Sequence, residues 1–224
     1  MAPFGGIDRR LSANPMAAGV PTNGEPLILD MSACTIAEGK IRVALNKGER
    51  VPDNCIIDST GRPTDDPAAF YTEPGSILPI AGHKGYALSV MIEMLAGALT
   101  GSSCTNPKNN WRVVNGMLSI IIDRSRFGSA EEFFPEVARF IEFVKSSRTV
   151  APNGEILVPG EIEQRTKASR LSSGIELDET TWRQIHETCE RLGVEHSFAR
   201  PGSAASGAAE VVIPGSEAAP TDRR

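Results

Sequence analysis

A chain of 224 residues with 40% hydrophobic content is long enough to bury a core, as one large or two small domains. Its net charge of -5 and pI near 5.3 leave no basic stripe for nucleic acid, and the arginines at Arg9-Arg10, Arg124/Arg126 and Arg223-Arg224 are not interleaved with aromatics. No apolar run reaches the length of a membrane span, and the opening ten residues have neither the basic start nor the apolar centre of a signal peptide, so a cytoplasmic location is expected.

Residues 26–30 form a short apolar run ending in an acid, the pattern of a strand. Thr35-Ile36-Ala37-Glu38 has the Thr-x-x-Glu form of a capping box and predicts a helix ending near Gly48. Residues 55–58 read as a brief strand closed by a turn at Gly61 and Pro63, after which Asp65-Asp66-Pro67 can start a helical turn. The segment Ala81-Gly82-His83-Lys84-Gly85-Tyr86 then leads into a helix over 87–99. There Leu88, Met91, Leu95 and Leu99 share one face, widened by Val90, Met94 and Ala98, which predicts burial on two sides. Small residues Ala87, Ala96, Gly97 and Ala98 suit close packing against another helix or a subunit.

Further on, the β-branched run over 117–123 predicts a central strand. Pro135 suits the first turn of a helix running to about Lys145, with Val137, Phe140, Ile141 and Val144 on one stripe. Ile156-Leu157-Val158 predicts a returning strand, and Pro159-Gly160 opens another helix. After a short extended piece at Ile175-Glu176-Leu177, Asp178 is placed to cap a last helix that turns Trp182 and Ile185 inward and ends at Gly193. The expected body covers 1–196. Residues 197–224 are rich in Ala, Gly, Ser and Pro, interrupted only by Val211-Val212-Ile213, and predict a disordered tail.

The chemistry-bearing motifs are few. Cys34, Cys55, Cys104 and Cys189 form no Cys-x-x-Cys pair, so packing cysteines are expected rather than a zinc site or a disulfide framework, and no metal site is expected. The Gly-x-Gly-x-x-Gly and Gly-x-x-x-x-Gly-Lys-[Ser/Thr] loops, the Gly-x-Ser-x-Gly elbow and His-Glu-x-x-His are all absent. What remains is an anion site by construction. Lys84 stands where a helix begins, and unpaired amides and the positive end of the helix dipole already favour a phosphate or carboxylate there. A turn with a solvated lysine is the plainer alternative.

Several stretches, in order, resemble the malate/L-lactate dehydrogenase family that is distinct from the ordinary Rossmann-fold lactate and malate dehydrogenases. They are Pro3-Phe4-Gly5-Gly6 with Asn14-Pro15 after it, Leu27-Ile28-Leu29-Asp30-Met31-Ser32, Gly61-Arg62-Pro63-Thr64-Asp65-Asp66-Pro67, Gly82-His83-Lys84-Gly85-Tyr86 and Pro159-Gly160-Glu161-Ile162-Glu163. The resemblance runs from about Pro3 to Gly193, and residues 27–101 look closest to the hydroxycarboxylate dehydrogenase branch. It implies an α/β (α+β) fold built on a mixed-sheet nucleotide-binding domain, not the usual Rossmann fold, and an NAD or NADP cofactor.

Carried over by motif, Asp30, Met31 and Ser32 would line the nicotinamide nucleotide, Lys84 would contact it, and Gly160, Glu161 and Ile162 would hold its other end. Asn14 and His83 are weaker substrate candidates. For Asp30 a strand-end cap, and for Glu161 a first-turn acid favourable with the helix dipole, are the plainer alternatives. The family's proton-donating histidine belongs to a Gly-His-Ser-Gly type segment upstream of Pro-Phe-Gly-Gly, which the resemblance places before Met1, and His83, His186 and His196 sit in no such segment. No catalytic residue is therefore assigned within the chain. The expected activity is hydride transfer between the cofactor and a 2-hydroxy or 2-oxo acid, by a homodimer. The alternative is a non-catalytic nucleotide-binding or dimerising fragment. Reduction of cyclic imino acids is a further option within the family.

Overall fold

The first two strands, β1 (Met16–Val20) and β2 (Leu27–Met31), form an antiparallel hairpin that pairs Met16 with Met31 and Val20 with Leu27. Its loop is fastened locally, because the Thr22 hydroxyl accepts from the Gly24 amide at 2.9 Å and donates to the Glu25 carbonyl at 2.8 Å. The computed structural model describes residues 1–109 and 114–194. The expected tail over 197–224 and His196 lie outside the described residues. Within the chain, Met1–Glu176 is one compact unit and Leu177–Arg224 a second.

Helix α1 (Glu38–Lys47) follows β2 and ends, as expected, at Gly48, whose φ of 70° is left-handed and whose amide returns to the last carbonyls. The capping box is not formed. Thr35 turns away from the helix, and its hydroxyl bonds the carbonyls of Cys55 and Leu78, both at 3.0 Å. A second sheet of order β4-β3-β5, wholly antiparallel, is built from β3 (Ile56–Ile57), β4 (Pro63–Thr64) and β5 (Ser76–Ile77). Helix α2 (Ala68–Tyr71) lies between β4 and β5, and the Asp66 carboxylate accepts from its first amide at 2.9 Å.

The core gathers Ile41 and Ala44 of α1 with Ile36, Val51, Ile56, Phe70, Ile77 and Met1. Each such isoleucine contributes about 1.5–3 kcal/mol through burial. Arg9 staples the opening segment down: its guanidinium lies 4.0 Å from the Phe70 ring centre and donates to the carbonyls of Gly75 and Phe70. The amine of Met1 is taken out of water and donates to the Leu11 carbonyl at 2.6 Å, and this burial pushes its pKa below the ordinary value.

Helix α3 (His83–Ile92) continues directly into a π-helical turn, Glu93–Ala98. The face expected to be buried is instead exposed at Met91, Met94, Leu95 and Leu99, and the side turned inward carries Gly85, Ser89 and Gly97. Small residues there let the helix lie close to the backbone around Ile80. Residues 117–123 are extended but form no strand, and residues 156–158 are likewise outside any ladder. Apolar β-branched composition alone was not enough, since neither stretch finds a pairing edge among the described residues. Within those residues, then, the expected mixed sheet is replaced by two small antiparallel ones.

Helix α4 (Ala130–Lys145) begins five residues before Pro135, which sits inside it. Ser129 sets the earlier start by accepting from the Glu132 amide at 3.2 Å, and Glu131 and Glu132 complement the dipole. Helix α5 (Glu161–Ser173) opens at Gly160, as the Pro159-Gly160 pair predicts. In the second unit, α6 (Glu179–Leu192) is capped by Asp178, which accepts from the Thr181 amide at 2.8 Å, and ends at a left-handed Gly193. There the Trp182 and His186 rings meet edge-on, 5.1 Å apart.

All four cysteines are free, with Cys34 and Cys55 buried. Among the described residues no helix is long and apolar enough to cross a membrane, and no three His, Cys, Asp or Glu side chains group as a metal site would require.

Candidate functional site

Two backbone contacts tie together the three segments that carry the expected cofactor residues. The Ile28 amide of β2 donates to the Pro159 carbonyl at 3.2 Å, which docks the Pro159-Gly160 corner on the strand holding Asp30 and Met31. Past the end of β2, the Ile80 amide donates to the Ala33 carbonyl at 2.9 Å, and Cys34 bridges Pro79. The chain leaving Ser32 therefore runs beside the chain entering α3, where Lys84 lies. Gly160 is buried with φ of 98°, and a side-chain carbon there would meet the Ile28 amide nitrogen at 3.4 Å.

Lys84 occupies the first turn of α3 and is exposed, and its ammonium makes no ion pair or hydrogen bond among the described residues. Gly82 precedes the helix with φ of 61° and supplies no side-chain cap, so the helix start presents amides and one cation without a carboxylate to neutralise them. His83 is exposed and meets the edge of the Phe4 ring at 5.9 Å.

Asp30 is exposed, and its side chain likewise has no partner among the described residues. The strand-end turn belongs to Ser32, whose hydroxyl accepts from the Cys34 amide at 3.3 Å. Met31 is half-buried beside it, and Ile162 is exposed on α5.

Glu161 is already engaged. One carboxylate oxygen meets Lys145 at 2.5 Å and the other accepts from the Val158 amide at 2.9 Å, so the acid joins α4 to the corner opening α5. The Lys145 ammonium, followed by the Val158 amide, holds its carboxyl below the usual glutamate range.

Asn14 is buried at a φ of 42°, and its amide nitrogen lies 2.9 Å from the Ser89 hydroxyl, 3.1 Å from the Ser89 carbonyl and 3.0 Å from a Glu93 oxygen. Glu93 also takes the Thr105 amide at 2.8 Å and the Thr105 hydroxyl at 2.9 Å. Asn14 therefore clamps the opening segment to α3 at the point where the helix changes winding. Nothing in the sequence pointed to Glu93 or Thr105, because the contact spans long separations. The Asn14-Pro15 pair was the one visible sign.

A groove of about 590 Å³ opens beside the start of α3, lined among others by Pro3, Phe4, Gly5, Gly61, Leu78 and Gly82. Three motifs noted in the sequence only as marks of resemblance thus converge on one concavity. Its Thr60-Gly61 wall is a rigid turn, since Asp58 accepts from the Thr60 hydroxyl at 2.7 Å and from the Arg62 amide at 3.0 Å, and these bonds hold the Asp58 carboxyl below its ordinary range.

Comparison with known proteins places the chain. Residues 1–186 match the family model described as malate/L-lactate dehydrogenase. The L-sulfolactate dehydrogenase of Methanothermobacter thermautotrophicus is 42% identical over 87% of this chain and 56% of its own length. Hydroxycarboxylate dehydrogenase B of Escherichia coli is 39% identical over 87% of this chain and 55% of its own. A solved malate/lactate dehydrogenase structure from E. coli, itself titled putative, superposes with a TM-score of 0.76 at 37% identity, covering 87% of this chain and 56% of that one. The chain thus spans somewhat more than half the length of the relatives it matches. With the motifs in register and the family model matching most of its residues, the chain belongs to the malate/L-lactate dehydrogenase family.

Proposed function

We propose that this chain holds the nicotinamide cofactor, NAD or NADP, of an oxidoreductase acting between 2-hydroxy and 2-oxo carboxylic acids. The observation that carries the reading is Lys84: a cation without a partner among the described residues, in the first turn of a ten-residue helix whose entry offers no carboxylate. Such a helix start suits the pyrophosphate or ribose-phosphate of a dinucleotide. Bound there, the cofactor would supply the hydride chemistry through its nicotinamide ring.

The chain's own residues hold and orient it. Lys84 and the opening amides of α3 meet phosphate charge. Asp30 offers an acceptor free of protein partners, and the Ser32 hydroxyl and the close backbone at Gly160 border the same strand. Glu161, with both oxygens engaged, positions the Gly160 corner through Lys145 and Val158. The proton that accompanies hydride transfer is assigned to no residue of this chain, and a homodimer is the proposed assembly.

Fluorescence titration of the purified chain with NADH and with NADPH tests the reading, followed by addition of a 2-oxo acid in the same cuvette. Saturable binding is expected, weakened about tenfold in Lys84→Ala, which corresponds to one charge-assisted contact. A folded chain that binds neither nucleotide overturns the proposal. The span of little more than half of each relative favours one further reading, a nucleotide-binding fragment without turnover, for which binding would occur with no cofactor oxidation.

A further inference from the structure

Residues 115–123 run extended across the surface. Among the described residues, none of the backbone groups from 115 to 122 makes a hydrogen bond. Their side chains are equally without cover: Met117 is 78% exposed, Ile120 76%, Ile121 96% and Ile122 69%. Successive residues of an extended chain point to opposite sides, so this stretch is apolar on both faces. An edge strand of a monomer is polar on its outer face or blocked by charge, and this one is neither.

The stretch is joined to a second exposed apolar surface. Its start is pressed on the π-helical turn, because a side-chain carbon at Gly116 would fall 1.8 Å from the Ala96 carbonyl oxygen. That turn and the end of α3 expose Met91, Met94, Leu95 and Leu99. The two surfaces share one anchor, and their combined apolar character is that of a layer interior.

We propose that residues 115–123 are a docking strand, paired along both edges by strands from the part of the family polypeptide that this chain does not span, with the exposed side of α3 covered in the same event. Length supports this occupant, since the relatives carry outside the matched region nearly as many residues as within it. A second copy of this chain fits less well. Two copies joined through this strand would satisfy one edge and leave the other edge unpaired, whereas a strand apolar on both faces is characteristic of a sheet interior. The inference concerns assembly and stands whether or not the chain binds a nucleotide.

The test co-expresses the full chain with a polypeptide made as the unmatched portion of E. coli hydroxycarboxylate dehydrogenase B, and reads hydrogen exchange over 115–123 in the chain alone and in the purified mixture. The expected result is a stable complex in which exchange over this stretch slows at least about a hundredfold, as pairing of an open segment requires. Ile121→Lys, at a side chain that touches no core, abolishes the complex, and Val150→Lys, in the exposed turn after α4, leaves it intact. The same polypeptide co-expressed with the matched portion of its own relative serves as the control that it is competent to pair. Separation of the two proteins on gel filtration while that control pair stays together overturns the proposal. So does unchanged exchange over 115–123 within the complex, or slowing that follows the concentration of the chain alone, which would assign the surface to a second copy.

Discussion

Every buried side chain among the described residues lies within 1–89, whereas residues 114–176 carry long helices without one. The first region is held by contacts between distant positions: Ala2 bonds Ile77, Arg9 reaches Gly75, and Asn14 reaches Glu93. The second is held by neighbours. Ser129 caps α4, Gly160 opens α5, and one half-buried ion pair, Lys145–Glu161, joins the two. The lesson is that helical form and a buried core have separate origins here. Capping and propensity suffice to shape α4 and α5, but only the first region removes much apolar surface from water.

The sharpest way to separate the regions is to empty the core. Ile56→Ala, at a fully buried side chain, is expected to cost about 2–5 kcal/mol in equilibrium denaturation. A loss well under that would mean the first region is not the seat of stability. Asn14→Ala removes the donor shared by Ser89 and Glu93 and is expected to cost about 1–3 kcal/mol, with faster amide exchange at the end of α3. A smaller effect belongs to the second region. Ser129→Ala should weaken α4 by about 1 kcal/mol, seen as faster exchange in its first turn while the global transition stays in place. If the global transition moved equally, the contrast between the regions would fail.

The most local effect is that of pH at Glu161. Its folded-state pKa lies below the ordinary value, so its contribution is present above the unfolded glutamate range, near about 4.3, and is lost as pH falls through the lowered folded value. The Val158 amide resonance should therefore hold its bonded shift until strongly acid pH. Lys145→Ala should move that transition upward toward the ordinary range, and an unmoved transition would remove the ion pair as its cause.

Much of this was legible where a single residue dictates the backbone. Gly48, Gly160, Asp178 and Gly193 stand at the helix ends that their chemistry requires. Legibility failed where a residue had a stronger distant partner. Thr35 has the sequence of a cap, yet its hydroxyl serves two carbonyls in other segments, and α1 starts without it. Strand β1 was missed because Met-Ala-Ala-Gly-Val has no alternation, and only its pairing with β2 makes it a strand. The helix over α3 misled in another way. Hydrophobicity marked one face as interior, while close packing chose the opposite face for its small residues. In the candidate site, the cofactor segments could be listed from motifs, but their meeting depends on two backbone bonds that no local pattern encodes.

The winding change at Glu93–Ala98 amounts to one extra residue looped into a helix, with the Leu99 amide reaching back five positions to Met94 at 2.9 Å. Deleting a single residue within it would restore ordinary winding, yet everything downstream would swing about 100° around the axis. Gly97 would leave the Ser103 carbonyl, where a side-chain carbon would come within 2.9 Å, and a bulkier neighbour would take its place. Chain length at this turn is therefore under tighter constraint than residue type. A substitution there can be absorbed by one side chain, but a change of length must be answered by rebuilding the whole stretch that leads from the helix to Thr105.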